Sequence, residues 1–177
     1  AHAMLLTVLE TRTAPGSGRA RARTEKVLAR LALARGDTPA ARRHIDSAAA
    51  RQDGELPAGH PSLREEQRIN IEILIHEDQL EDAARELVEA RQHARSPATL
   101  ADVDRLGGLL ALAQGEPAQA RRLHQTANGA SKESSGATSP RSRRIARDLA
   151  DVLRALGDSA ADTFERKAQP PDVESMH

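Results

Sequence analysis

A helix–turn–helix pattern occurs four times along this chain, and the repetition limits the possible folds more than any other feature of the sequence. In each copy, a turn residue separates two stretches in which apolar residues recur every three or four positions, as on one face of a helix. Successive turn residues are 42, 37 and 42 positions apart, and they are Gly36, Asp78, Gly115 and Gly157. Because one helix pair is too small to bury its own apolar face, we expect each copy to stack on its neighbours.

Small residues recur at fixed distances from these turns. Five positions after the turn residue stand Ala41, Ala83 and Ala120, and twelve positions after it stand Ala48, Ala90 and Ala127. Seven positions before it stand Ala29, Ile71, Gly108 and Ala150. The second helix of the fourth copy matches only when shifted by one residue, through Ala161 and Ala168. Helices with small side chains at their crossing can approach closely, so the pattern predicts tightly packed helical hairpins.

The composition favours an all-α fold. Apolar residues make up 38% of the chain and aromatic residues only 1%, so the core must consist of Leu, Ile, Val and Ala. Ala, Leu, Arg and Glu favour helix and β-branched residues are scarce, so no strand is predicted. We expect helix pairs at about 19–52, 61–94, 97–129 and 140–168.

Three segments do not fit these pairs. Residues 1–11 look like the second helix of an incomplete leading repeat, so that the repeat domain itself spans residues 12–168. Residues 169–177 contain two prolines and no apolar periodicity, which predicts a disordered tail. The polar stretch 129–139 is rich in Gly and Ser and predicts a flexible loop.

The repeated residues resemble the tetratricopeptide repeat, in which a small residue of the first helix packs against an alanine of the second. Prolines precede the turn residue by 17 or 18 positions in three copies, at Pro61, Pro97 and Pro140, which is similar to the longer kinesin-light-chain type of repeat. The resemblance implies a right-handed α-α superhelix with a protein-binding role. The chain departs from the family in lacking its large aromatic residues, in having Asp78 at a turn and in having Ile71 at a small-residue position.

Charge and residue usage exclude several classes of protein. The 26 basic and 26 acidic residues balance, and no aromatic residues interleave with the arginines of residues 140–147, which argues against nucleic-acid binding by this chain. The longest apolar run, residues 106–113, is much shorter than a membrane span, and there is no cysteine for a disulfide. We therefore expect a cytoplasmic protein.

No enzymatic signature is present. The seven histidines never stand four residues apart, and no phosphate-binding glycine loop or nucleophile elbow occurs, so we predict no catalysis, no metal site and no cofactor. The cluster of His76, Glu77 and Asp78 is interpreted as a solvated helix end. His124 falls at an interior position of the third copy, and we expect a packing residue with one hydrogen bond.

Basic residues stand ten positions before each turn residue. They are Lys26, Arg68, Arg105 and Arg147, and with Arg30 and Glu72 they form the predicted partner-binding set. If the first helix of each pair lines a concave surface, this column would suit an acidic peptide, because Arg binds carboxylates through two parallel hydrogen bonds. The alternative interpretation is a solvated face, on which Arg68 pairs with Glu72, Arg105 with Asp102 and Arg147 with Asp151.

These observations predict a scaffold for protein–protein interaction that binds a peptide or partner helix on its concave face. The alternative is a sensory or regulatory repeat domain of a larger transcription or signalling regulator of bacterial type. The incomplete first repeat motivates this second hypothesis. The oligomeric state does not follow from the sequence.

Overall fold

The structure is a computed structural model that describes residues 18–51, 56 and 60–169. Within these residues all regular structure is α-helical, so the all-α prediction is confirmed there. The eight helices are α1 (Gly18–Leu33), α2 (Thr38–Ala50), α3 (Pro61–His76), α4 (Leu80–His93), α5 (Pro97–Ala113), α6 (Pro117–Ser135), α7 (Pro140–Ala155) and α8 (Ala161–Ala168). None of these helices has the length and apolar content needed to cross a bilayer. The predicted leading half-repeat, and the predicted tail beyond Gln169, lie outside the described residues.

The chain divides into two compact parts, residues 1–82 and 83–177. In the N-terminal part, α1 packs on α2 and both contact α3. The buried residues of that core are Ala29, Ala32, Leu33, Ala41, Ile45, Ile69 and Ile73. In the C-terminal part, α5, α6, α7 and α8 pack in chain order, and α5 also contacts α7. Small side chains sit at these contacts, as in the cluster of Ala111, Ala120 and Val152. Alanine therefore supplies much of the core, as the sequence predicted.

The four predicted turns have the same backbone geometry. Each turn residue has a left-handed φ, of 75° at Gly36, 60° at Asp78, 77° at Gly115 and 67° at Gly157. In every copy, the N–H of the next residue donates to the carbonyl four positions before the turn residue, over 2.8 to 3.0 Å, as from Asp37 to Ala32. This is the Schellman ending of a helix, which satisfies carbonyls that the last turn leaves unpaired. The register of the four copies is thus confirmed at their turns.

Proline and a side-chain cap mark the start of several helices. Pro61, Pro97 and Pro140 are the first residues of α3, α5 and α7, where proline's fixed φ suits the helix and its missing N–H costs nothing. The hydroxyls of Ser96 and Ser139 each accept a hydrogen bond from the backbone N–H three residues on. The prolines singled out in the sequence therefore begin first helices, as predicted.

The prediction of a flexible loop over residues 129–139 is wrong for most of its length, because α6 continues to Ser135. Ala127 and Ser131 lie four residues apart on its buried face, and the Ser131 hydroxyl hydrogen-bonds that of Ser142 over 2.8 Å. These contacts hold the last turns of α6 against α7. The helix ends only at Gly136, whose φ of 82° breaks it.

Candidate functional site

The basic residues that stand ten positions before each turn residue form the predicted basic column, and not all of them lie on the surface. Lys26 is 3% exposed and Arg105 is 2% exposed, so the expectation that they face outward is wrong. The Lys26 ammonium donates to the Ser62 hydroxyl over 2.6 Å and lies 3.0 Å from a carboxylate oxygen of Glu65. Arg105 Nε lies 2.6 Å from Asp148 Oδ2, close but outside the direction of a linear hydrogen bond.

Both buried cations join the first helices of two helix pairs. Lys26 connects α1 to α3 in the N-terminal part, and Arg105 connects α5 to α7 in the C-terminal part. The position ten residues before the turn therefore faces a neighbouring helix in these two copies. The sequence pattern shows which face of a helix carries these cations. It does not show that a carboxylate from another repeat lies opposite that face.

Glu65 pairs with two cations of α1. Its second oxygen lies 3.1 Å from Arg30, whose side chain is 38% exposed. Burial would raise the pKa of Glu65, but Arg30 and the hydrogen-bonded Lys26 outweigh it, so that this pKa is lowered. Arg30, predicted to bind a partner, thus takes part in an internal ion-pair network.

The remaining candidates of the column differ in exposure. Arg68 and Glu72 on α3 are partly buried and engage in polar interactions, whereas Arg147 on α7 is exposed. Asp102, the acid expected to pair with Arg105, also meets two arginines of α7. Asp102 lies 3.1 Å from Arg141 and 3.4 Å from Arg144. Arg147 is therefore the candidate best placed to meet a partner.

His124 is buried completely between helices of the C-terminal part. Neither ring nitrogen has a hydrogen-bond partner, so the packing role is confirmed and the expected hydrogen bond is wrong. Burial, with a smaller contribution from the positive charge of Arg105, lowers the pKa of His124 to about 4. The imidazole is consequently neutral at physiological pH.

A pocket of 470 Å³ lies in the C-terminal part, where the end of α6, the start of α7 and the end of α8 meet. Eight of its ten described lining residues carry polar or basic side chains and two are alanines, and these ten include no carboxylate and no aromatic ring. The lining residues are Asn128, Lys132, Ala137, Thr138, Ser142, Arg143, Ala146, Arg166, Lys167 and Gln169. This volume falls within the range of small-molecule sites.

The four cations of the pocket form no ion pair with a carboxylate of the described residues. Arg166 donates to the Thr163 hydroxyl over 3.3 Å, and the Lys167 ammonium lies 4.8 Å above the ring of Phe164. Lys132 and Arg143 form neither a side-chain hydrogen bond nor a cation–π contact within the described residues. Their charges are therefore available to an anion in the pocket.

We call this site the basic pocket. Hydrogen bonds hold its lining residue Ser142 in place. The Ser142 hydroxyl bonds Ser131, lies 3.0 Å from the Ser139 hydroxyl and donates to the Gly136 carbonyl over 2.8 Å. Asn128 is 7% exposed, and its amide oxygen accepts no hydrogen bond from the described residues.

The sequence pattern does not predict the basic pocket. Arg143 belongs to the arginine-rich run 140–147, but Lys132, Arg166 and Lys167 come from other helices, and no spacing rule connects them. Only the packing of α6, α7 and α8 brings these charges together.

No protein-family model matches the chain, and no curated protein sequence matches it. In the part of the chain that the structure describes, no three His, Cys, Asp or Glu side chains are grouped as metal ligands.

Proposed function

We propose that this chain is a protein-binding helical-repeat module, with its hairpins stacked into a right-handed superhelix of the tetratricopeptide type. The observation that carries the proposal is the recurrence of one turn geometry, with the same pair of hydrogen bonds, at all four predicted positions. Repeat arrays of this kind offer extended surfaces made of successive helices, which suit the binding of peptides and partner helices.

Fewer cations of the basic column are exposed to an acidic partner than the sequence predicted. Lys26 and Arg105 serve the contact between helices, so the proposed contacts move to exposed cations of the same column, foremost Arg147. Arg147 lies one helical turn after Arg143 on α7, so the two guanidinium groups share a face. That face would hold an acidic segment through hydrogen bonds between guanidinium and carboxylate groups.

Selection from a library of random short peptides tests this proposal. We expect bound peptides to be enriched in Asp and Glu, and Arg147→Glu to abolish their binding by charge repulsion. The matched control is Arg122→Glu, because Arg122 is also exposed but lies on α6, a second helix. Selection without acidic enrichment, or equal loss in both variants, would overturn it.

The basic pocket favours a second candidate, a sensory repeat domain. A small-molecule site within a repeat array could couple ligand binding to partner binding, and the coupling must be reciprocal. If this candidate is right, a ligand that fills the pocket will change the affinity for the selected peptides. Identical affinities with and without that ligand would contradict it.

A further inference from the structure

The basic pocket carries four positive charges in one half-open site, where Lys132 and Arg143 are partly buried and Arg166 and Lys167 are exposed. Lys132 comes from α6, Arg143 from α7, and Arg166 and Lys167 from α8, and the described residues of the lining include no acidic residue. Elsewhere in the described chain, buried or partly buried cations such as Lys26, Arg42 and Arg105 have carboxylate partners. Because like charges repel one another, such a grouping is stabilised by a bound anion.

The charge of the pocket matches two phosphate groups. A phosphate ester carries about −1.5 to −2 charges near pH 7, so two of them balance four cations. The first turn of α7 borders the pocket through Ser142 and Arg143, and its N-terminal end adds a partial positive charge. Arginine contributes a planar fork for phosphate oxygens and lysine a point charge.

The neutral lining residues indicate what links the phosphates. Asn128 lines the pocket, and a side-chain amide can both donate and accept hydrogen bonds. Thr138 and Gln169 add further hydrogen-bonding groups, whereas the described lining residues include no aromatic ring to stack a nucleobase. A hydroxyl-bearing ligand fits this lining better than a nucleotide.

We propose that the basic pocket is a binding site for a small polyhydroxylated molecule that carries two phosphate groups, such as a sugar bisphosphate. In this assignment Lys132, Arg143, Arg166 and Lys167 bind the phosphates, and Asn128 bonds a hydroxyl group. The proposal does not depend on the protein-binding role, although Arg143 belongs both to the pocket and to the face proposed for an acidic segment.

Isothermal titration of the full chain with a hexose 1,6-bisphosphate tests the proposal. We expect saturable binding, with weaker binding of hexose 6-phosphate and of citrate, a polyanion that has carboxylates only. The double variant Lys132→Gln with Arg143→Gln should raise the Kd for the bisphosphate at least about tenfold, or about 1.4 kcal/mol. Replacing Asn128 by Ala should weaken hexose bisphosphate binding and leave pyrophosphate binding unchanged.

The matched control is the double variant Arg95→Gln with Arg122→Gln, which removes the same net charge from exposed positions outside the pocket. It should keep the wild-type Kd, and circular dichroism should show equal helix content in all variants. Absence of saturable binding would overturn the proposal. Equal affinity for citrate, or an equal loss in the control variant, would also overturn it, because each indicates attraction by charge alone.

Discussion

Gly108 on α5 lies directly against the imidazole of His124 on α6. A Cβ atom built at position 108 would stand 2.6 Å from both Cδ2 and Nε2 of the ring, which is closer than such atoms approach. The pair occupies two of the repeated small-and-large positions, seven before and nine after Gly115. In this copy the residue of the second helix is a large ring, and only glycine on the first helix leaves room for it.

Gly108→Ala should therefore destabilise the protein. Alanine favours helix over glycine by ~1 kcal/mol, but overpacking a buried contact costs ~1–3 kcal/mol, and the rigid, enclosed ring has no room to yield. We expect a net loss of up to about 2 kcal/mol in the free energy of unfolding, measured by chemical denaturation.

Gly129→Ala is the matched control on α6, because nothing lies within 4 Å of a Cβ built there. This change should stabilise by ~0.5–1 kcal/mol through helix propensity alone. If Gly108→Ala raised the denaturation midpoint as Gly129→Ala is expected to, the close contact of Gly108 with His124 would be contradicted.

The buried His124 should make stability fall at acid pH. In the unfolded chain its imidazole takes up a proton near the ordinary pKa of 6.5, while in the folded protein the pKa is about 4. Between these values the unfolded state binds more protons, so acidification favours unfolding. The loss approaches about 3 kcal/mol at pH 4, since each pKa unit corresponds to ~1.36 kcal/mol.

Denaturation curves at pH 7, 6, 5 and 4 would check this pH dependence. His124→Gln should show a shallower decline in stability than the wild type, whereas His76→Gln, at an exposed helix end, should keep the wild-type slope. Carboxylates add their own acid sensitivity, so the difference between the two variants is the informative quantity. Parallel curves for all three proteins would show that His124 titrates normally.

The all-α class and several helix ends could be predicted from the sequence because their signals are local. Gly115 or Gly157 marks a helix end by backbone conformation alone, and Pro97 or Pro140 marks a helix start by its fixed φ. The extent of α6 could not be read in this way. Gly129 and the serines after it favour a loop by propensity, and the tertiary contact between Ser131 and Ser142 overrides that preference.

The burial of the candidate site residues could not be predicted from the sequence. Periodicity assigns Lys26 and Arg105 to the same position of their repeats, but whether that position faces water depends on what the neighbouring helix carries. Glu65 and Asp148 lie 39 and 43 residues further on, and no spacing within one repeat predicts them. The basic pocket likewise requires three helices to meet.

Removing one partner of the buried pair formed by Arg105 and Asp148 should be strongly destabilising. Arg105→Met leaves the Asp148 carboxylate, whose side chain is only 15% exposed, without its closest cation. An uncompensated buried charge costs ~3–5 kcal/mol. For the same reason, Arg105→Glu should unfold the C-terminal part and cannot serve as a test of partner binding.

The double variant Arg105→Met with Asp148→Leu should recover most of this loss, because an apolar pair of similar volume needs no desolvation of charge. Urea denaturation of the wild type, both single variants and the double variant forms a complete cycle. Additive effects in that cycle would contradict a direct interaction between the two side chains.

Asp78 is the one turn residue of the four that is not glycine. Its φ of 60° costs free energy for a residue with a side chain, whereas glycine adopts such a φ freely. Asp78→Gly should therefore raise the free energy of unfolding by ~1 kcal/mol, since a side chain in the left-handed region costs ~1–2 kcal/mol, less for Asp than for most residues. The reciprocal change, Gly115→Ala, should lower it by a similar amount, because φ is 77° there and no neighbour lies within 4 Å of the added Cβ. Thermal or chemical denaturation of the two variants checks the pair, and shifts of the same sign would show that these two turns do not share one geometry.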